Sequence, residues 1–266
     1  MENNFNRIIT LVDFTGVSKL AIEHTAIIAR SSLCLVTLMH IAPLDKSNDE
    51  HLIKTKVRDF ANYLEEEGVS FSVQIFFGNF FEIIKSSIER LKSDLIIIGT
   101  HGIKGVKQNF VSSNISRLIQ MIEIPALIIQ GHSMLPQEGY LKLMMPLKGI
   151  NKLNHLVSPV LKIVSIFNSE LILLSHFNKE NETERTEITK LLHQEMLKLG
   201  VQTTYQMEES GSFQNNFAKD IVELADIEQI ALICLVFHEQ KGNKVFGELD
   251  LENILLNKFG IPVLCL

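Results

Sequence analysis

The chain of 266 residues repeats one unit, and this duplication limits its fold more than any other feature. Leu38-Met-His40 recurs as Leu174-Ser-His176, and Ile124-Pro-Ala-Leu127 recurs as Ile261-Pro-Val-Leu264 at almost the same spacing. Between these markers both copies follow one order: strand, long polar helix, short strand, Gly-x-Phe, amphipathic helix and buried strand. Such a shared order is hard to obtain by chance, so we infer two tandem copies of one domain.

The boundary between the copies is expected near the middle of the chain. The segment GHSMLPQEG, residues 131–139, gathers glycine, proline and polar residues, which is typical of a linker. The first domain is therefore assigned to residues 1–132 and the second to residues 139–266. Within the copies, Gly78-Asn-Phe80 is matched with Gly211-Ser-Phe213.

Strands that alternate with helices predict an α/β fold with parallel strands and helices on both faces of the sheet. The strands are short, continuous apolar runs, as expected when both faces of a sheet are covered. In the first copy these runs are 8–12, 33–40, 95–98 and 126–129. The helix over 51–67 carries charged residues and is expected to present a solvated face, whereas the helix over 80–91 spaces its apolar residues for the core. Each copy is predicted to form an open parallel sheet.

Composition argues against several classes of partner. Net charge is −6 and the isoelectric point is near 5.9, whereas nucleic acids and anionic membranes are bound by basic surfaces. No apolar run is long enough to span a membrane and no signal pattern is present, so a cytoplasmic protein is expected. Cys34, Cys234 and Cys265 are expected to be buried reduced thiols, and the histidine spacing predicts no metal site.

The segment 95–130 carries the strongest indication of a ligand. An apolar strand is followed by the glycine turn Gly99-Thr-His-Gly102, a loop, and Ser112-Ser113 at the start of a helix. Glycine lets backbone N–H groups approach an anion closely, and a helix N-terminus favours negative charge. In an open α/β sheet this arrangement is typical of a phosphate site, although no P-loop and no GxGxxG fingerprint is present.

Two other segments are expected at the same edge of the sheet. Asp13 follows the first strand, where a carboxylate can accept hydrogen bonds from ribose hydroxyls or an adenine amino group. The alternative role of Asp13 is to cap the following helix. The second strand ends in Met39-His40-Ile41-Ala42-Pro43, whose backbone can line an adenine pocket. His40 and His176 are expected to be structural.

The pattern Gly99-x2-Gly102-x9-Ser112-Ser113, with Asp13 after the first strand, resembles the universal stress protein family, whose motif is G-x2-G-x9-G-(S/T). The resemblance covers essentially the whole chain as a tandem member, and it implies two Rossmann-like domains of the adenine nucleotide alpha hydrolase type. It also implies ATP, with Mg²⁺, as the ligand of the first domain.

The resemblance implies a role for each residue of the motif. Asp13 contacts ribose or adenine, and Ile41 contacts the base. The other predicted contacts are Gly99, His101 and Gly102 along the phosphates, and Ser112, Ser113 and Asn114 closing the loop over triphosphate and ribose. Ser112 departs from the family glycine, and its Cβ can block a close backbone approach, although serine is small and offers a hydroxyl.

The second copy is predicted to be degenerate. Residues 139–169 contain no Asp or Glu, so nothing there corresponds to Asp13. Matching the run 95–98 with 231–234 places Leu235-Val-Phe-His238 where the first copy has its glycine turn. Carboxylates stand where the first copy has hydroxyls, and they would repel a triphosphate; they are Glu248, Asp250 and Glu252.

These observations predict a cytoplasmic stress-response protein whose first domain is an adenine-nucleotide-sensing or protein-interaction module. One alternative is a dimerising scaffold that binds no nucleotide. The other, ranked last, is a slow ATPase or self-phosphorylating protein with Ser112 or Ser113 as the acceptor, and Asp13 is its only obvious carboxylate. The last strands of the two copies, 126–129 and 261–266, are expected to pair the domains. A homodimer and an unidentified protein partner stay open.

Overall fold

The computed structural model describes residues 4–100, 112–148, 150, 157–209, 217–236 and 248–266. The first half contains β1 (Arg7–Leu11), α1 (Gly16–Ser32), β2 (Leu35–Ala42), α2 (Glu50–Glu66), β3 (Phe71–Phe77), α3 (Phe80–Leu91), β4 (Leu95–Thr100), α4 (Ser112–Met121) and β5 (Ala126–Gln130), with a short 3₁₀ helix at Leu44–Asp49. The second half contains β6 (Lys142–Pro146), α5 (Ser158–Phe167), β7 (Glu170–Phe177), α6 (Glu182–Lys198), β8 (Thr203–Glu209), α7 (Phe217–Ile227), β9 (Leu232–Leu235), α8 (Glu248–Leu255) and β10 (Val263–Cys265).

The ten strands form one sheet in the order β3-β2-β1-β4-β5-β10-β9-β6-β7-β8. Pairing is parallel within each half, and the antiparallel pair of β5 and β10 joins the halves, with Val263 opposite Ile128 and Cys265 opposite Ala126. The α/β class is confirmed, and the two segments predicted to pair the copies do so as parts of β5 and β10. The assignment of residues 1–132 and 139–266 to separate domains stays a prediction.

Helices cover both faces of this sheet, because the strands are apolar on both sides. One buried cluster gathers residues of α1, α2, α5 and α6, and the other gathers residues of α3, α4, α7 and α8. Every residue of β4 is buried. The helices predicted from apolar spacing behave as expected, since Ile115, Leu118 and Ile119 of α4 and the following Ile122 are buried, and α3 packs against the second cluster. No described helix has the length and apolar character needed to cross a membrane.

A buried contact between the halves lies where α1 packs against α5. Tyr140 has no exposed surface, and its hydroxyl lies 2.7 Å from Nδ1 of His24, which is also fully buried. The ring of Phe167 meets the ring of Tyr140 edge-on at 5.7 Å between centroids. An aromatic hydroxyl in such a place needs a polar partner, and His24 is that partner.

Polar contacts at two other places also link the halves. Lys162 donates from Nζ to Oδ2 of Asp94 at 2.9 Å, below the amino ends of the strands. Beside the β5–β10 pair, Gln130 donates from Nε2 to the carbonyl of Ile261 at 3.3 Å. The halves are thus held together by apolar packing, a shared strand pair and specific side chains.

The strand register corrects the alignment of the two copies. Leu11 is opposite Met39 in the first half, and Pro146 is opposite Leu174 in the second. Leu38 belongs to the cluster of α1 and α2, whereas Leu174 and Met39 both belong to the cluster on the opposite face. Met39 is therefore the counterpart of Leu174, and the match of Leu38-Met-His40 with Leu174-Ser-His176 is wrong by one residue. Because alternate residues of a strand face opposite sides, this shift exchanges the two faces. Three equivalences follow: Ser175 corresponds to His40, His176 to Ile41, and Lys148 to Asp13.

A second shift of one residue affects β9. Ile8 is opposite Leu95, and its counterpart Leu143 is opposite Leu232. The run 95–98 is therefore equivalent to 232–235, not to 231–234, and Val236, not Leu235, takes the place of Gly99.

The structure likewise changes the match proposed for Phe80. Lys92 and Gln229, which follow α3 and α7, both hold the left-handed backbone conformation, with φ of 51° and 53°. Counting back from these two residues matches Phe80 with Phe217. Phe217 is therefore the counterpart of Phe80, whereas Phe213 lies outside the described residues.

Candidate functional site

The candidate site lies at the carboxyl edge of β1, β2 and β4. β1 lies between β2 and β4 in the sheet, and the connections from β1 and from β3 run over opposite faces. Parallel α/β sheets bind ligands in the crevice outside the carboxyl ends of the strands at such a point. Asp13 follows β1, Ile41 lies near the end of β2, and Gly99 lies near the end of β4.

Asp13 is half-buried and is oriented by Thr15. Its Oδ1 accepts hydrogen bonds from the Thr15 backbone N–H at 3.1 Å and from the Thr15 hydroxyl at 2.6 Å. Thr15 in turn is the N-cap of α1, since its hydroxyl accepts from the backbone N–H of Ser18 at 3.3 Å. Asp13 therefore supports the cap without being the cap residue. In the part of the chain that the structure describes, Oδ2 of Asp13 makes no hydrogen bond.

His40 fixes the backbone that carries Asp13. Nδ1 of His40 donates to the carbonyl of Val12 at 2.7 Å, and its ring lies 4.3 Å from the ring of Phe14. Burial lowers the pKa of His40, although the Val12 carbonyl and the Asp13 carboxylate oppose that shift. His40 thus serves as a neutral structural residue.

Phe14 is a part of this edge that sequence reasoning missed. It holds a left-handed backbone conformation, with φ of 65°, that is uncommon outside glycine. Its ring packs between His40 and Phe60, at 5.9 Å from the latter. This packing offsets the free-energy cost of the left-handed conformation of Phe14. The conformation in turn determines how the chain turns from β1 into α1. Nothing in the sequence Asp13-Phe14-Thr15 signals such a conformation.

Gly99 lies inside β4, not in a turn after it, because the strand continues to Thr100. The prediction that the strand ends at residue 98 is therefore wrong. A Cβ on Gly99 would lie 2.8 Å from the carbonyl oxygen of Val17 in α1, closer than such atoms approach. Close packing of helix against strand thus requires glycine here, with or without a phosphate nearby.

The other predicted residues are described in part. Ile41 is half-buried, is opposite Phe76 in β3 and packs against the apolar cluster of α3 and α4. α4 spans Ser112–Met121, and Asn114 is half-buried. His101 and Gly102 lie outside the described residues, as do the side chains of Ser112 and Ser113.

The equivalent edge of the second half has different chemistry. Lys148 takes the place of Asp13, His176 takes the place of Ile41, and the buried Val236 takes the place of Gly99. At this edge the second half therefore has an amine where the first half has a carboxylate, and an imidazole where the first half has an apolar side chain.

The fold defines the protein as a pair of tandem Rossmann-like α/β units. Residues 4–130 match the model of the universal stress protein family, and this part of the chain belongs to that family. The resemblance found in the Gly99–Ser113 motif and Asp13 is thereby confirmed at the level of the family. No curated protein matches the chain by sequence.

Solved structures show the same two-unit fold over the full chain. A universal stress protein from Archaeoglobus fulgidus is 14% identical, with a TM-score of 0.76 over 98% of this chain and 97% of that chain. A functionally unknown protein from Pseudomonas aeruginosa is 15% identical, with a TM-score of 0.71 over 100% of this chain and 93% of that one. A putative universal stress protein from Pseudomonas aeruginosa is 14% identical, with a TM-score of 0.69 over 100% and 94%. These TM-scores show that the fold is shared.

Proposed function

We propose that the chain is a stress-response protein whose first half binds an adenine nucleotide, ATP with Mg²⁺, in the crevice at the carboxyl edge of β1, β2 and β4. The observation that carries the proposal is Asp13, a half-buried carboxylate oriented through one oxygen by Thr15. The second oxygen is available to accept a hydrogen bond from a ribose hydroxyl or an adenine amino group. An oriented charged acceptor contributes about 1.5–3 kcal/mol to such a contact.

The neighbouring elements suit the remainder of a nucleotide. Ile41 offers an apolar, half-buried surface for a base, beside Asp13. α4 begins beyond β4 at Ser112, and the N-terminus of a ten-residue helix favours a phosphate group. We expect nucleotide binding to shift the population of conformations of a surface offered to a protein partner.

We expect Asp13→Asn to weaken ATP binding by about tenfold to a hundredfold, since the amide oxygen can still accept from Thr15 while the charge is lost. Isothermal titration of the full chain with ATP and Mg²⁺ measures this effect. Asp226→Asn, an exposed charge change on α7 in the other half, is the matched control and should leave affinity unchanged. Equal affinity in all three proteins would contradict the role of Asp13.

The second candidate function is a dimerising scaffold that binds no nucleotide, and the packing of Gly99 favours it. Because packing against Val17 explains this glycine, its presence does not require a ligand. Titration of the wild type and of Ser112→Gly separates the two functions. Binding only after the substitution would favour the scaffold, and binding by both would favour the nucleotide module. Turnover of labelled ATP would point instead to the enzymatic alternative.

A further inference from the structure

The two edges of the ten-stranded sheet differ in chemistry. Among the described strands, β3 and β8 lie at the two ends of the strand order. β8 carries the exposed carboxylates of Glu208 and Glu209, whereas β3, with the sequence FSVQIFF, has no charged residue and no proline. Charged side chains and proline commonly protect an edge strand from pairing with another chain. The edge of β3 therefore lacks a protection that the edge of β8 has.

The backbone of β3 is open along this edge. The N–H of Val36 in β2 donates to the carbonyl of Ser70 at 3.0 Å, and the N–H of Gly78 donates to the carbonyl of Ala42 at 2.9 Å, so the even-numbered residues of β3 bond to β2. In a parallel pair the alternate residues direct their N–H and C=O groups away from the partner strand. These residues include Phe71, Val73 and Ile75. Their hydrogen-bonding groups therefore face outward and are placed to pair with a further strand.

A groove of about 980 Å³ follows the same edge, between α2 and β3. Its apolar part includes Phe71, Val73 and Ile75, and the exposed fraction of Val73 is 38%. Phe71 and Ile75 pack against the buried cluster of α1 and α2, so these alternate side chains lie on the α2 side of the sheet. A second strand beside β3 would cover this apolar surface and remove it from water.

The α2 wall of the groove is complementary in charge to a second copy of itself. Lys54 of this wall pairs with Glu50 within α2, with Nζ 2.6 Å from Oε1. Arg58 and Asp59 also line the groove, at the middle of α2, and neither has an ion-pair partner in the part of the chain that the structure describes. Two antiparallel α2 helices related by a twofold axis at this point bring Arg58 of each copy toward Asp59 of the other. The wall thus suits a second copy better than a partner of one charge sign.

We propose that two copies of the chain pair through β3, antiparallel about a twofold axis perpendicular to the sheet, so that two ten-stranded sheets become one. Such an axis keeps the α2 helices of both copies on the same face, above the paired strands. The apolar side chains of each β3 then fill the groove, and the outward N–H and C=O groups bond across the axis. This inference does not depend on nucleotide binding by the first half.

The test is the oligomeric state of the full chain without nucleotide, measured by sedimentation equilibrium over a range of concentrations. We expect a species of twice the chain mass of 30.1 kDa. Val73→Lys should raise the Kd of this dimer by about tenfold or more, because two like charges would meet near the axis. Tyr205→Lys in β8 is the matched control, since Tyr205 is opposite Leu173 as Val73 is opposite Leu38, and it should leave the Kd unchanged.

A charge exchange on α2 tests the same pairing without altering the strand. Arg58→Glu should weaken the dimer, and adding Asp59→Arg should restore it, because adjacent residues of one helix do not face each other. Lys190→Glu is the matched control, since Lys190 is the ninth residue of α6 as Arg58 is the ninth of α2, and it should have no effect. A monomer at every concentration would overturn the proposal. So would a dimer that resists Val73→Lys and Arg58→Glu, or one that Tyr205→Lys weakens equally.

Discussion

Replacing Gly99 by alanine is expected to lower the free energy of unfolding by about 3 kcal/mol, within the range measured for overpacked interiors. The new Cβ would lie 2.8 Å from the Val17 carbonyl oxygen and 2.9 Å from its carbon. These are backbone atoms of α1, so relief requires a shift of the helix against β4, not a rotamer change. Because β4 is buried over its full length, such a shift disturbs the centre of the first half. Urea unfolding followed by circular dichroism measures the effect.

Gly16→Ala is the matched control for this prediction. Gly16 begins α1, one residue before Val17, and a Cβ built there has nothing within 4 Å. The substitution should leave the unfolding midpoint unchanged or raise it slightly, since alanine is the better helix former. If Gly99→Ala were as stable as Gly16→Ala, the close approach of α1 to β4 would not be a constraint, and a ligand would again be the better reason for the glycine.

Acid is expected to destabilise the protein through His24. Burial lowers the pKa of His24 from 6.5 to about 4, because the charged imidazolium would lose its hydration beside Tyr140. Between these values the unfolded chain binds more protons than the folded chain, so the free energy of unfolding falls as pH is lowered. The loss from His24 is about 2 kcal/mol at pH 5 relative to pH 7, and on the order of 3 kcal/mol once pH falls below the folded pKa.

Unfolding curves at several pH values, for the wild type and His24→Phe, measure this contribution. The variant loses the hydrogen bond to Tyr140 at every pH, but its stability should fall less between pH 7 and pH 5. His40 and His176 also have lowered pKa values, so some pH dependence should persist. His51→Gln, at an exposed position of α2, should behave as the wild type does. A steep pH dependence unchanged in His24→Phe would contradict the role assigned to His24.

Apolar spacing was sufficient to predict the elements and class of the fold. The continuous apolar runs in β1, β4 and β5, and the apolar residues spaced at helical intervals in α4, are buried as expected. The pairing of β5 with β10 also followed from two apolar last strands. These features depend on hydrophobic burial, which each short segment carries in its own sequence.

Features that depend on three-dimensional contacts were predicted less well. The similar tripeptides at His40 and His176 suggest one alignment, but the faces on which Met39 and Leu174 are buried make Ser175 the counterpart of His40 in the repeat. The spacing of Gly99 indicates a phosphate site, and the close approach of Val17 cannot be inferred from it. The contact of Tyr140 with His24 cannot be predicted from sequence patterns, because the two residues are distant in the sequence.

The position of β10 has a consequence for the order in which the chain can fold. β10 comes last among the described strands in the sequence, yet it lies in the interior of the sheet, between β5 and β9. During synthesis, β5 therefore presents an unpaired apolar edge until the ribosome has released nearly the whole second half. That interval exposes the nascent chain to pairing with a neighbouring nascent chain of the same kind. Because both units are in one chain, β5 always has β10 as its partner strand in the folded protein, but β10 is synthesised last among the described strands. A chaperone bound to β5 would prevent pairing between nascent chains until β10 is available.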